Sequence, residues 1–555
     1  MAAHRLRRAI AWAAQAVAAA GALMATKTNM PDVLIVGAGG TGAVMAKELA
    51  EAGLGVVVLE AGPWHDPQRE FNGLEWDMFN PFDSLFRWGP LDRTKTPWPR
   101  VRDGIGLLFQ TPGVGGNTLH YGANHPRAYM DSIETDWPFR YRDLVPYYYK
   151  VEETLPVQVP EIAATKDELF IKGCEAIGIG HVAGPDIRTS GWRMQPNAIL
   201  PIAEDANPLV YPNTDGCVQC GECIVGCRNA EGAPLERTAK RSTNVSYAPL
   251  ALKTKRCEFR TGVFVTQIVT EENEGTLRAR AVQYREADGS LKEQEARVIV
   301  MACGPVETPR LWLSSGLPDN GHVGKYFTTH WFDYITGVFP HEVNMFEGQT
   351  SMVRAEFPGY GFFESQGAGP LTFALATSMG PKAVTGEGPW ALSGRTWGSA
   401  LKRRMEAYRR TLMLVVCVDD DGLAESSVSL APGVADENNP APLVRYRASD
   451  QTIRRRDWLS RRAAEVLIGA GADPDSIHRA DAPASTVHQH GTMRMGFDPS
   501  RSIVDPNGEA HGVAHLFICD TSIFPNGIGG PNPTLTAQAV ATMISERIVA
   551  RYFAE

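Results

Sequence analysis

A chain of 555 residues is longer than one hydrophobic core serves, and its 43% apolar and 21% charged residues are those of a globular protein with two joined domains. The formal net charge of -9 leaves no basic excess to neutralise a phosphate backbone, which excludes nucleic acid as an expected partner. Four of the nine cysteines crowd between Cys217 and Cys227, a spacing that suits metal ligation better than a disulfide framework.

At the start of the chain, Arg5 to Arg8 followed by the alanine-rich run Ala9 to Ala25 have the charge order of a secretory signal. The Arg7-Arg8 pair suits export in the folded state, to a periplasmic or membrane-associated location; a frayed amphipathic helix on a cytoplasmic protein is the other reading. From Asp32 the pattern predicts a strand (33–36), a glycine turn, a helix (41–52) and a second strand (55–59) ending on Glu60, which is one βαβ unit. Residues 63–112 carry Trp64, Trp76, Trp88 and Trp98 with little periodicity, as expected of a long excursion packed over a ligand. A second glycine knot at 113–116 precedes a predicted helix over 141–155 and the cysteine loop. The runs 259–268, 278–285 and 296–302 then read as antiparallel strands feeding back into the first sheet. A strand at 412–418 and a helix at 449–467 lie in a region of different character, and the chain closes on a helix over 536–552.

The most specific local signal is Gly37-x-Gly39-x-x-Gly42. The first glycine allows a tight turn, the second lets the backbone approach a diphosphate, and the third lets helix and strand pack closely. The diphosphate would meet the helix N-terminus, where free N–H groups favour an anion. Glu60, eighteen residues after Gly42, is placed to accept from an adenosine ribose hydroxyl. This unit predicts a dinucleotide and does not distinguish FAD from NAD.

Four later segments make that distinction: Gly113-Val-Gly-Gly-Asn-Thr-Leu-His120, the run Val298 to Pro309, His488-Gln-His-Gly-Thr-Met-Arg-Met-Gly496, and Asp520 to Pro525 followed by Asn532-Pro533. In these segments, in order from about residue 31 onward, the sequence resembles the glucose-methanol-choline (GMC) oxidoreductases. The resemblance implies an α/β fold with a Rossmann-like FAD-binding domain and a discontinuous α+β substrate domain built on an antiparallel sheet. It implies an FAD-binding domain in three parts (31–135, 241–334 and 485–555), a helical and cysteine-cluster region (136–240) and a substrate domain (335–484), with 1–30 standing apart as the basic and apolar segment. Gly115, Gly116 and Asn117 would lie close to the flavin, Val265 near the adenine, and Asp520 would help hold FAD. His120 falls where some family members attach the flavin covalently through a histidine; otherwise it packs on the flavin.

The implied chemistry is the oxidation of a hydroxyl group, in which oxygen loses a proton while carbon gives a hydride to flavin N5. A base near neutral pKa suits the first task. The resemblance makes His488 that base and Asn532, forty-four residues later, the hydrogen-bonding partner of the substrate oxygen. His490 competes with His488, because in a regular strand the two would point to one face. The expected substrate is a sugar, sugar acid or polyol; the alternative is an apolar alcohol or sterol, with the cysteines structural.

Cys217-x-x-Cys220-x-x-Cys223-x-x-x-Cys227 carries the spacing of a ferredoxin-type run, with Arg228 where proline usually follows. A single loop with three ligands points to a [3Fe–4S] iron–sulfur cluster. The resemblance to family dehydrogenases with such clusters matches Cys217, Cys223 and Cys227 and leaves Cys220 spare. A tetrahedral zinc site of four thiolates is the alternative. With a cluster, electrons would leave to a cytochrome or quinone, and a small partner subunit would be a further partner.

Overall fold

The computed structural model describes residues 30–71, 75, 87–92, 94–161, 164–204, 216–378, 396–480, 484 and 487–554. The expected signal segment and Trp76 lie outside the described residues. No helix among the described residues is long and apolar enough to cross a membrane.

The first layer is a five-stranded parallel sheet in the order Leu516–Ile518, Val298–Met301, Val33–Val36, Val56–Glu60, Cys257–Thr261. Its central strands read VLIV, VVVLE and VIVM and are buried throughout, as parallel strands covered on both faces must be. The helix Gly42–Glu51 crosses between the first two strands and packs against the terminal helix Thr534–Tyr552, so the two ends of the described chain share one core. The expected strand over 259–268 is two strands. Gly262, at φ +74°, breaks the run, sending Cys257–Thr261 into the parallel sheet and Phe264–Asn273 into a three-stranded meander with Thr276–Arg285 and Leu291–Glu295. Apolar periodicity cannot see that break, because both pieces are half-buried strands.

The second layer is a six-stranded antiparallel sheet in the order His478–Ala480, Phe332–Val338, Thr411–Val418, Gly361–Gln366, Val353–Phe357, Gly191–Met194. Its two faces follow from the two-residue repeat of a strand. Ile335, Leu414, Val416 and Phe363 point into a core covered by the long helix Asp450–Ala470. That helix starts where Ser449 Oγ accepts from the Thr452 N–H at 2.9 Å, a serine N-cap. The opposite face, in register as Phe332, Cys417 and Phe362 and then Tyr334, Val415 and Glu364, looks the other way.

A third, mixed sheet joins the layers: Gln489–Thr492, Lys325–Thr329, Ser427–Ala435, Pro440–Arg445, Val101–Asp103. Its first two strands pair antiparallel with Thr328 opposite His490 and Thr329 opposite Gln489. One residue further along the same register, His330 stands beside His488.

Candidate active site

Two glycine loops and one carboxylate build the first end of the site. Gly37 leaves its strand at φ +101°, and a Cβ there would stand 2.5 Å from the Ala302 carbonyl oxygen, so only glycine passes the neighbouring strand end. A Cβ on Gly116 would meet Gly39 Cα at 2.9 Å; the two loops touch backbone to backbone. Gly42 is pressed against the Gly37 carbonyl and Gly115 against Leu119, both behind the wall rather than on it. Glu60 is buried, with Oε1 accepting from the N–H groups of Gly62 (2.8 Å) and Gly113 (2.9 Å), and Oε2 from Ala38 (2.8 Å). One carboxylate thus ties three turns of the chain together.

These loops open onto a cavity of about 420 Å³ that continues past Val265 and Asp520 to His488 and Asn532. Asp520 is buried and accepts from the Gly304 N–H (2.9 Å), the Thr308 hydroxyl (2.7 Å) and the Ser522 N–H (2.7 Å), which fixes the turn after Leu516–Ile518. Burial raises its carboxyl above the ordinary range, and these donors oppose the shift. Asn117, on the cavity wall, accepts from the Thr111 N–H at 2.9 Å and donates to the Phe109 carbonyl at 3.2 Å.

His120 also lines the cavity, its Nδ1 3.1 Å from the Ile224 carbonyl oxygen. Burial, with the nearby Lys240 charge second, pushes its pKa down to about 3, so the ring is neutral. A carbonyl only accepts, which places the ring proton on Nδ1 and the lone pair on Nε2.

At the far end His488 and Asn532 meet, Asn532 Nδ2 lying 3.2 Å from His488 Nε2. His488 Nδ1 is 3.1 Å from His330 Nδ1, and His330 Nε2 is 2.7 Å from the Gly527 carbonyl oxygen. Behind Asn532, Arg354 Nη1 donates to the Asn532 Oδ1 at 2.9 Å and to the Gln195 Oε1 at 2.6 Å. Burial holds the pKa of His488 well below the ordinary histidine value, with His330 and Arg354 adding to the shift, and burial takes His330 down to about 4. His490 packs behind the wall: it is wholly buried, stacked on Phe524 at 5.9 Å, and neither ring nitrogen has a hydrogen-bond partner. His488 is on the cavity wall and His490 is not. The floor beside His488 is the free face of the antiparallel sheet, with Phe332, Tyr334, Met413 and Val415 as its apolar part and Glu364 and Gln366 at one edge.

The four cysteines line a separate, small cavity of about 30 Å³. Burial raises the thiols of Cys217, Cys220 and Cys227, that of Cys217 to about 12. Lys240 lies beside them, its pKa lowered to about 8 by burial, and donates to the carbonyls of Leu119 (2.7 Å), Cys223 (2.5 Å) and Tyr121 (3.3 Å). Among the described residues no group of three His, Cys, Asp or Glu side chains is set to hold a metal ion. Ile224, inside the loop, reaches the wall of the large cavity.

A model of the FAD binding domain matches residues 30–83, and two models of GMC oxidoreductase match residues 195–332 and 423–541. The chain belongs to the GMC oxidoreductase family. FAD is the cofactor of this GMC oxidoreductase. It is 26% identical to the 6'''-hydroxyparomomycin C oxidase of Streptomyces lividus, over 96% of this chain and 93% of that one. It is 25% identical to the 2-methyl-1,2-propanediol dehydrogenase of Mycolicibacterium austroafricanum, over 95% and 97% of the two chains. A long-chain-alcohol oxidase of Arabidopsis thaliana is 25% identical over 93% of this chain and 66% of its own length. Among solved structures, formate oxidase of Aspergillus oryzae shares the fold with a TM-score of 0.66 at 14% identity, covering 95% of this chain and 99% of that one. Pyridoxine 4-oxidase from Mesorbium loti shares it at 0.62 and 15% identity, over 94% and 99%.

Sequence reasoning missed Arg354, His330, Gln195 and Glu364. None sits in a motif. Arg354 reaches Asn532 from a strand that is nowhere near it in sequence, and His330 becomes relevant only through strand pairing.

Proposed function

We propose that this GMC oxidoreductase oxidises the carbinol of an alcohol or polyol, with His488 taking the hydroxyl proton and Asn532 holding the substrate oxygen. The observation that carries this reading is the 3.2 Å approach of Asn532 Nδ2 to His488 Nε2 on the wall of the large cavity. Burial keeps His488 neutral at ordinary pH, so a basic nitrogen is present before substrate arrives. FAD, when bound, supplies the acceptor for the hydride that leaves the same carbon.

The walls suit that cofactor. Each carboxylate oxygen has two lone pairs, and Glu60 Oε2 uses one on Ala38, leaving one for a ribose hydroxyl. The touching backbones of Gly39 and Gly116 present peptide groups with no side chain between them and a diphosphate. Thr111 Oγ1 is buried on the wall with no partner. Gly37, Val265, Asn117, His120 and Asp520 complete the set that lines the cavity, while Gly42 and Gly115 support it from behind.

The floor supports a substrate with an apolar skeleton and a second polar group. Phe332, Tyr334, Met413 and Val415 offer area to carbon, and Glu364 and Gln366 offer hydrogen bonds at one edge. The test is an anaerobic screen of a long-chain primary alcohol, a branched vicinal diol and a sugar, read by flavin bleaching. A diol or long-chain alcohol is expected to bleach fastest; bleaching by sugars alone would overturn the floor assignment. With the best substrate, H488A is expected to slow reduction about 10²–10⁴-fold at unchanged FAD content. Unimpaired reduction by H488A ends the base assignment.

A second reading sends electrons out through an iron–sulfur cluster at the cysteine loop to a cytochrome or quinone. It is supported by Ile224, which links that loop to His120 and the large cavity. The fit is not met as the thiols stand: among the described residues no three His, Cys, Asp or Glu side chains are placed to hold a metal ion. No step is assigned to it. Iron and sulfide analysis with EPR on purified protein decides the matter, and protein with zinc or without metal ends the relay.

A further inference from the structure

We propose that His330 is a positioning residue that fixes the tautomer of His488, holding the basic lone pair on Nε2 where it faces Asn532 and the cavity. This rests on the reading of His488 as the base. The two ends of the hydrogen-bonded row have roles that are not open to choice.

At one end stands the Gly527 carbonyl, which can only accept. His330 Nε2, 2.7 Å away, must therefore carry a proton. A neutral His330 has one ring proton, so its Nδ1 is an acceptor. The only protonation that makes the 3.1 Å contact between the two Nδ1 atoms a hydrogen bond puts the proton on His488. A neutral His488 protonated at Nδ1 has its lone pair on Nε2, and that lone pair accepts from Asn532 Nδ2 at 3.2 Å. The other end agrees independently. Arg354 can only donate, so the oxygen it meets at 2.9 Å is the Asn532 Oδ1, which turns the amide nitrogen toward His488. A row anchored by a fixed donor and a fixed acceptor allows one direction throughout: Arg354 to Asn532 to His488 to His330 to Gly527.

The alternative tautomer of His488, with the proton on Nε2, would set two N–H donors against each other at Asn532. It would also leave two lone pairs facing at His330. The His330 contact is buried and the Asn532 contact partly so, and an unmade buried hydrogen bond is costly. The packing holds the rings as well: His330 lies edge-on to His488 with centroids 5.2 Å apart, and His490 and Phe332 close the sides at 4.7 Å from His330 and 5.3 Å from His488.

When His488 takes the substrate proton at Nε2, the hydrogen bond from Asn532 Nδ2 breaks and that N–H turns to the substrate oxygen, while the Nδ1 proton of the imidazolium already has its acceptor on His330. His330 thus holds the product form of the base without being a proton acceptor itself. The charged and titratable groups that bear on this pair are Arg354 beyond Asn532, His490 beside His330, and Asp419 near the Gly527 Cα.

The test compares holoenzymes of wild type, H330L, H330Q, H488A and the double variant H330L/H488A. It reads FAD content and the anaerobic rate of flavin reduction across pH. In H330Q the amide oxygen can accept from His488 and the amide nitrogen can donate to Gly527, so most of the rate is expected to return. H330L is expected to slow reduction about 10- to 100-fold, because His488 loses the partner that fixes its Nδ1 proton. In the H488A background H330L should change nothing further, since its effect acts through His488. Three outcomes overturn the proposal: H330L at the wild-type rate, H330Q as slow as H330L, or the same H330L factor with and without His488. If H330L does not retain FAD, ¹⁵N spectra of histidine-labelled wild type, assigned by difference from H488A, carry the test. A His488 proton on Nδ1 supports the proposal and one on Nε2 ends it. Wild-type reduction by H488A would remove the base assignment itself, an outcome separate from the others.

Discussion

Asp420 sits beneath the strand end that carries His330, and its three hydrogen bonds make different demands. Oδ2 accepts from the Thr329 N–H at 3.0 Å, a donor that cannot turn round, whereas Oδ1 meets the hydroxyls of Tyr446 (3.2 Å) and Thr452 (3.1 Å), which can. A protonated carboxyl satisfies all three, with its O–H at Oδ1. Burial raises the pKa from 3.8 to about 7, with the Thr329 N–H foremost among the opposing effects. A folded-state pKa above the unfolded value means stability that is complete below the unfolded value and lost as pH rises through about 7. The loss is about 4 kcal/mol at most. D420N offers the same oxygen to Thr329 and an NH₂ group to the hydroxyls, without the charge. Its thermal midpoint should match wild type at or below pH 4 and exceed it by a few degrees at pH 8; a difference independent of pH would contradict this. Part of the candidate site at this scale can be read in the sequence. His488, Asn532 and Glu60 stand in motifs whose spacing is local. Arg354 and His330 do not, because what recruits them is a hydrogen bond across strands that pair far apart in the chain.

The elements most legible in the sequence are those buried on all sides or on one regular stripe. Val33–Val36 and Thr411–Val418 are unbroken apolar runs, and the helices Tyr141–Thr154 and Asp450–Ala470 fall within a few residues of where periodicity places them. Pairing is another matter. The strand Gly191–Met194 closes the edge of the six-stranded sheet from within the helical and cysteine-bearing stretch, and nothing in its four residues announces that edge. The split at Gly262 has the same cause, since which sheet a strand joins depends on partners that the pattern does not name. The free face of the antiparallel sheet could not be read as a cavity floor, because Thr411–Val418 is apolar on both faces. Only the packing of the other face against Asp450–Ala470 says which side is left over.

Across the whole molecule each of the two main layers is assembled from segments far apart in the chain: 33–60, 257–261, 298–301 and 516–518 in one, 191–194, 332–338, 353–366, 411–418 and 478–480 in the other. The large cavity is walled by both. Neither layer can lose its strands while the other keeps its own connections, so calorimetry of holoenzyme is expected to give one unfolding transition with FAD released in it. Two resolved transitions would mean that the layers fold independently. The row from Arg354 to Gly527 also bears on turnover of the molecule as a unit. Its last member is a peptide carbonyl, a dead end for protons, and its first is a guanidinium that gives none away. On the proposed reading of His488 as the base, this row among the described residues passes a received proton no further, and the cavity that admits the alcohol is its way back to water.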